Sequence, residues 1–199
     1  MRKVQHFLAC ILALFIGLGS VAPAQANDIT VMSSSLSART SQPAGLYLDV
    51  NVEFDLPRSI QDALNRGIPL YFVTDFSIQY ERWYWVNKTV VEASLITRLS
   101  YSPLTRQYRL SRGGLSQSFD SLSETLAILK SLHGWRVSDD PVIDNPENCV
   151  AEVLVRLDID QLPLPMQVTI GENDWDLTSD WHTVDLDRSI THPLEDANE

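Results

Sequence analysis

The chain has 199 residues, with 26 acids against 15 bases and a formal net charge of −11. Such a balance argues against nucleic acid or an anionic membrane surface as a partner, because the field of the whole chain repels both. Arg2 and Lys3 precede an apolar run, Phe7 to Gly19, which is followed by Ala24-Gln25-Ala26. That is the pattern of a secretion signal cleaved after Ala26. The run is shorter than the roughly 20 residues needed to cross a bilayer, so no membrane span is expected once the signal is removed. Cleavage takes away two bases and no acid and leaves a net charge of −13. Residues 27–188 are expected to form a single β-rich domain, followed by a loose acidic tail at 189–199. One cysteine, Cys149, remains in the mature chain, so no internal disulfide can form. It opens the apolar run CVAEVLVRLDI and is read as a small buried hydrophobe.

In chain order, Asp28 to Ala38 predicts a first strand. In Leu46 to Asp55, Leu46, Leu48, Val50, Val52 and Phe54 alternate with polar residues and Tyr47, which predicts a strand with one dry face. Arg58 to Arg66 places Ile60, Ala63 and Leu64 at helical spacing, and Gly67 closes that helix. Pro69 to Val86 reads as one long strand or two joined by a bulge, with Trp83 and Trp85 on the parity opposite to Leu70, Phe72, Phe76 and Ile78. Thr89 to Ser102 alternates again, Pro103 occupies a turn, and Tyr108 and Leu110 mark a return strand. Gly113-Gly114 is expected to end this meander. Ser121-Leu122-Ser123-Glu124 has capping-box form, and Leu122, Leu126, Leu129 and Leu132 predict a helix reaching Gly134. Trp135 to Val137, Cys149 to Ile159, Met166 to Ile170 and Trp181 to Leu186 predict further extended segments, with a polar loop at 139–148 and a proline-bent edge at 161–165. About eight strands and two short helices favour an antiparallel β-sandwich, immunoglobulin-like in general form, with the helices in the connections. A single twisted sheet covered by the helices is the alternative.

Several stretches carry a family resemblance: Arg66 to Phe72 (RGIPLYF), Arg82 to Trp85 (RWYW), Leu99-Ser100-Tyr101 with Leu104 to Arg109 (LTRQYR), Gly134 to Val137 (GWRV) and Asp174 to Trp181 (DWDLTSDW). Together they resemble the exported proteobacterial domain-of-unknown-function family 4390 over nearly the whole mature chain. The resemblance implies a periplasmic location and a gene neighbourhood that often includes a nitrogen-responsive two-component sensor kinase. It implies no catalytic residues.

Four arginines, Arg98, Arg106, Arg109 and Arg112, fall in a segment, 93–119, that contains no acid, whereas residues 139–199 carry sixteen acids and two bases. Guanidinium forks bind carboxylate and phosphate in bidentate fashion, so Arg98, Arg106 and Arg109 are candidates for an anionic ligand or partner. The competing reading pairs them with the acidic third of the same chain. Trp83 and Trp85 are candidates for an aromatic platform, with cover by another element as the competing reading. Asp174, Asp176 and Asp180 offer oxygen ligands for a cation, although the stretch lacks the glycine and terminal glutamate of an EF-hand loop; Trp175 and Trp181 read as pins holding it to the core. His133 is placed at a helix end, where a cation suits the dipole. No nucleophile-and-base motif and no glycine-rich phosphate loop occurs, so no enzyme activity and no cofactor is expected. The expectation is a periplasmic binding or accessory domain that recognises a protein partner, such as the exported region of a membrane sensor, or a small anionic ligand. A cell-envelope hydrolase built on a carboxylate pair and a purely structural domain are the alternatives.

Overall fold

A computed structural model describes residues 29–80, 88–143, 145–162, 175–187 and 190. The expected signal peptide, Arg82, Trp83, Trp85, Met166 to Ile170, Asp174 and the tail beyond 190 lie outside these residues. The elements in order are β1 (Thr30–Arg39), β2 (Gly45–Glu53), α1 (Arg58–Asn65), β3 (Leu70–Tyr80), β4 (Lys88–Ser102), β5 (Gln107–Arg112), β6 (Leu115–Phe119), α2 (Leu122–Leu129), β7 (Ser131–Ser138), β8 (Cys149–Leu157), β9 (His182–Thr183) and β10 (Asp185–Leu186). They form two sheets, one of four strands ordered β10-β1-β2-β7 and one of six ordered β6-β5-β4-β3-β8-β9. Among the described residues all strand pairings are antiparallel except β1 with β10. The fold is therefore a mainly β sandwich with two helices in the connections, and the single covered sheet is excluded.

Alternation along the strands produces the core. Leu46, Leu48, Val50 and Val52 of β2 face Leu70, Phe72, Phe76 and Ile78 of β3 and Ala151, Val153, Val155 and Leu157 of β8 within one buried cluster. Burying that many branched and aromatic side chains is the main favourable term in folding. Alternation fails at Tyr47, Val73 and Ser77, which are buried although their parity is that of the wet face. Tyr47 is covered locally: Arg39 lies over its ring at 4.1 Å and its hydroxyl donates to the Pro43 carbonyl.

Helix α1 follows the sequence pattern. Ile60, Ala63 and Leu64 are its buried face, and Gly67 at φ +89 donates to the Leu64 carbonyl. Helix α2 starts where the capping box puts it, with Ser121 Oγ accepting from the Glu124 amide at 3.2 Å. Replacing Ser121 by Ala is expected to lower stability by about 1 kcal/mol, the usual worth of an N-cap. Equilibrium denaturation measures it, and an unchanged midpoint would assign the cap no role.

Three expectations need correction. The helix expected to reach Gly134 ends at Leu129, because the Lys130 carbonyl already accepts from the Val52 amide of β2. Pairing with β2 overrides the leucine periodicity, so Leu132 reaches the core from a strand. Gly134, at φ +63, is the extra residue of a bulge between the Leu48–Trp135 and Val50–Leu132 pairs. His133 consequently sits on β7 beside Asp49 and not at a helix end. Third, Gly113-Gly114 does not end the meander. Both glycines have positive φ, +55 and +84, as a two-residue hairpin turn requires, and they fold β6 back on β5. The final extended segment also divides between the sheets: β9 pairs with β8 and β10 with β1, and the step between them is the buried Val184. Cys149, at the start of β8, is half-buried against the core.

Candidate functional site

The β4-β5-β6 end of the larger sheet gathers the arginines. Ser102 accepts from the Arg106 amide at 2.7 Å across the first turn, where Arg106 adopts φ +57, and the Gly-Gly turn closes the second. These turns set the register: Arg98 lies opposite Ser111, Ser100 opposite Arg109, Arg109 opposite Ser118 and Ser111 opposite Ser116. All these residues share the parity that points away from the core, so two arginines stand in a field of short hydroxyl side chains. Arg98 and Arg109 are diagonal neighbours on adjacent strands, roughly 7–8 Å apart, which lets two guanidinium groups reach one anion. The serines leave a depression of about 270 Å3 between the arginine stems, also lined by Ser102, Thr105 and Gln107.

Below this surface two tyrosines join the hairpin to the rest of the fold. Tyr101 and Tyr108 pack ring against ring at 4.7 Å on the inner side, and the Tyr108 hydroxyl donates to Asn65 Oδ1 at 3.0 Å, tying the hairpin to α1. Burial, and to a lesser extent Tyr101, pushes the Tyr108 hydroxyl above the usual phenol range. Arg112 has the opposite parity to Arg109 and turns inward. Its Nε donates to Thr97 Oγ1 at 3.0 Å and an Nη to the Leu129 carbonyl at 3.4 Å, and desolvation lowers its pKa. It borders an interior cavity of about 20 Å3, room for one water between the sheets. Arg112 is thus a core-lining donor, separated from Arg98 and Arg109 by one change of parity.

Ion pairs engage two other arginines of the fold. Arg136 pairs with Asp139 at 2.9 Å, and Arg156 with Asp75 at 3.4 Å and Asp158 at 3.6 Å. Among the described residues, Arg98, Arg106 and Arg109 form no ion pair; Arg98 lies over the Tyr71 ring at 6.0 Å. Pairing within the fold therefore describes Arg156, which lies on the acidic side of the sheet. Arg106 stands exposed at the turn and does not line the depression.

The other end of the same outer face has the opposite character. Asp75, Ser77, Glu92, Ser94 and Trp181 border a second depression, of about 480 Å3. Trp181 is 50% exposed, so of the two tryptophans read as pins only Trp175, at 5%, serves as one. The sequence pattern points to Trp83 and Trp85 for aromatic surface and to Trp181 for a pin; its neighbours alone do not reveal on which side of the sheet a residue just before a two-residue strand projects. Asp176 and Asp180 are both exposed, and among the described residues no three His, Cys, Asp or Glu side chains are grouped to hold a metal ion.

The profile of a family described as a domain of unknown function, DUF4390, matches residues 27–185. The chain belongs to the DUF4390 family. Neither a curated protein nor a solved structure matches it. For this DUF4390 protein, chemistry must therefore be read from the side chains themselves. No helix among the described residues is long and apolar enough to cross a membrane.

Proposed function

We propose that this DUF4390 protein is an exported binding or accessory domain that recognises an anionic group, on a protein partner or a small ligand, through Arg98 and Arg109. One observation carries this reading: two diagonal arginines without a carboxylate partner among the described residues stand in a hydroxyl-lined depression, on a chain whose net charge is strongly negative. Arg136 and Arg156 of the same fold do pair with acids, and no acid falls in segment 93–119 to do the same for Arg98 and Arg109. Free guanidinium donors with serine and glutamine groups around them suit a carboxylate or phosphate. Export to the periplasm is supported by the basic start, the apolar run and Ala24-Gln25-Ala26, and by a family match that begins at residue 27. A partner in the exported region of a membrane sensor agrees with that location.

A hexaglutamate peptide followed by fluorescence anisotropy is the test. Wild-type protein is expected to bind it, more weakly as salt rises, because the contacts are exposed. Reversing both charges, Arg98→Glu with Arg109→Glu, is expected to weaken binding about a hundredfold, from two charge-assisted contacts of roughly 1.5 kcal/mol each. Melting should stay within about 0.5 kcal/mol of wild type, since both side chains are exposed. Equal affinity in the double variant would remove these arginines from the site.

A further inference from the structure

We infer that β6 is a strand-addition site and that its occupant is an extended segment of a partner with acids at alternate positions. This rests on the arginine-face reading above and extends it by naming how the partner binds.

Strand β6 forms one edge of the six-stranded sheet, and among the described residues only β5 pairs with it. Open edges invite pairing with other chains, and proteins commonly guard them with short length, charge, proline or a bulge. The other described edges are guarded. Strands β9 and β10 are two residues long, and β7 carries the Gly134 bulge with His133 and Arg136. Strand β6, Leu-Ser-Gln-Ser-Phe, has no charge, proline or glycine, keeps register with β5 throughout, and exposes its first four residues.

The hairpin turn decides which backbone groups are free. A two-residue loop with positive φ at both positions is closed by a hydrogen-bonded pair, here Arg112 with Leu115. Hydrogen-bonded and non-bonded pairs then alternate, so Leu115, Gln117 and Phe119 bond to β5. The amides and carbonyls of Ser116 and Ser118 point the other way, to the open edge. An added strand would bond to those two residues, and the side chains opposite them would lie on the outer face.

Charge complementarity selects the occupant. The row crossing the sheet through Ser118 runs Ser100, Arg109, Ser118 and then the added residue. That residue lies two strand spacings, roughly 9.6 Å, from Arg109, within the combined reach of arginine and glutamate across a small serine. No acid of segment 93–119 competes for this guanidinium. On the other parity the added side chains would lie beside Leu115, which is 78% exposed, so apolar residues suit the positions between the acids.

An acetylated, amidated octapeptide of alternating valine and glutamate tests this against the full mature chain. It is expected to bind, to slow amide exchange at Ser116 and Ser118, and to lose affinity at least about tenfold on N-methylation of its glutamates, which keeps every charge and removes the N–H groups facing β6. Arg109→Glu should weaken it more than Arg98→Glu, because Arg98 is one strand further away. Equal binding of the methylated peptide, with loss on Arg109→Glu, would overturn strand addition and leave the arginine reading standing. Methylation-sensitive binding that ignores both reversals would overturn the acidic occupant and the arginine reading together. Absence of binding by either peptide would overturn the strand-addition proposal, and so would a dimer of the free protein paired through β6, which makes a second copy the occupant.

Discussion

Replacing Gly45 by Ala is expected to destabilise the protein by about 3 kcal/mol or more, the range of a forced clash added to an unfavourable backbone conformation. Gly45 opens β2 at φ +149, a conformation side chains rarely adopt. A Cβ built there would stand 2.3 Å from the Ser138 carbonyl oxygen and 2.8 Å from Arg136 Nε. Neither neighbour is free to retreat. Ser138 lies in β7 paired with Leu46, and the Arg136 guanidinium is bonded to the Ala44 carbonyl and to Asp139. Relief requires β7 to move off β2, which breaks the edge of the smaller sheet. Urea denaturation should show an earlier midpoint. A midpoint within error of wild type would mean that the β2–β7 approach is looser than described.

The second large effect is expected at Phe76. Truncation to Ala should remove roughly 3–5 kcal/mol, through lost transfer energy and the cavity left behind. Phe76 is 1% exposed at the centre of β3, the strand that links β4 to β8. Its cross-strand neighbours are Ala93 and Val153, both too short to fill the vacated volume. Phe76→Leu keeps most of the volume and is expected to lose under about 1.5 kcal/mol. Denaturation curves with an unchanged slope and shifted midpoint would confirm a loss in the native core. Equal losses for the two variants would point to a specific aromatic contact in place of a cavity.

These two positions also show how differently the chain announces its structure. Phe76 was legible, because it falls on the apolar parity of a long alternating run. Gly45 was not, since its demand comes from Ser138 and Arg136, more than ninety residues later. The candidate site divides in the same way. An acid-free segment with four arginines was visible by inspection, and so was the parity separating Arg112 from Arg109. Their different fates depend on which parity faces the core beside a glycine turn, where the local pattern predicts an end to the meander. Strand β6 was missed because Leu-Ser-Gln-Ser-Phe has almost no apolar alternation; an edge strand that buries little leaves little hydrophobic signal.

Local patterns in the sequence by themselves determined the mainly β character, the approximate positions of β2 and α1, the cap of α2 and the cluster of arginines, and favoured the sandwich over a single covered sheet. Each depends on neighbours within a few residues, where periodicity, capping and turn chemistry act directly. Only the tertiary structure decided the end of α2, the bulge at Gly134, the split of the last strands between two sheets and the open edge beside Arg109. Those features arise from pairing between distant segments, whose hydrogen bonds and contacts outweigh the small conformational preferences of any single residue.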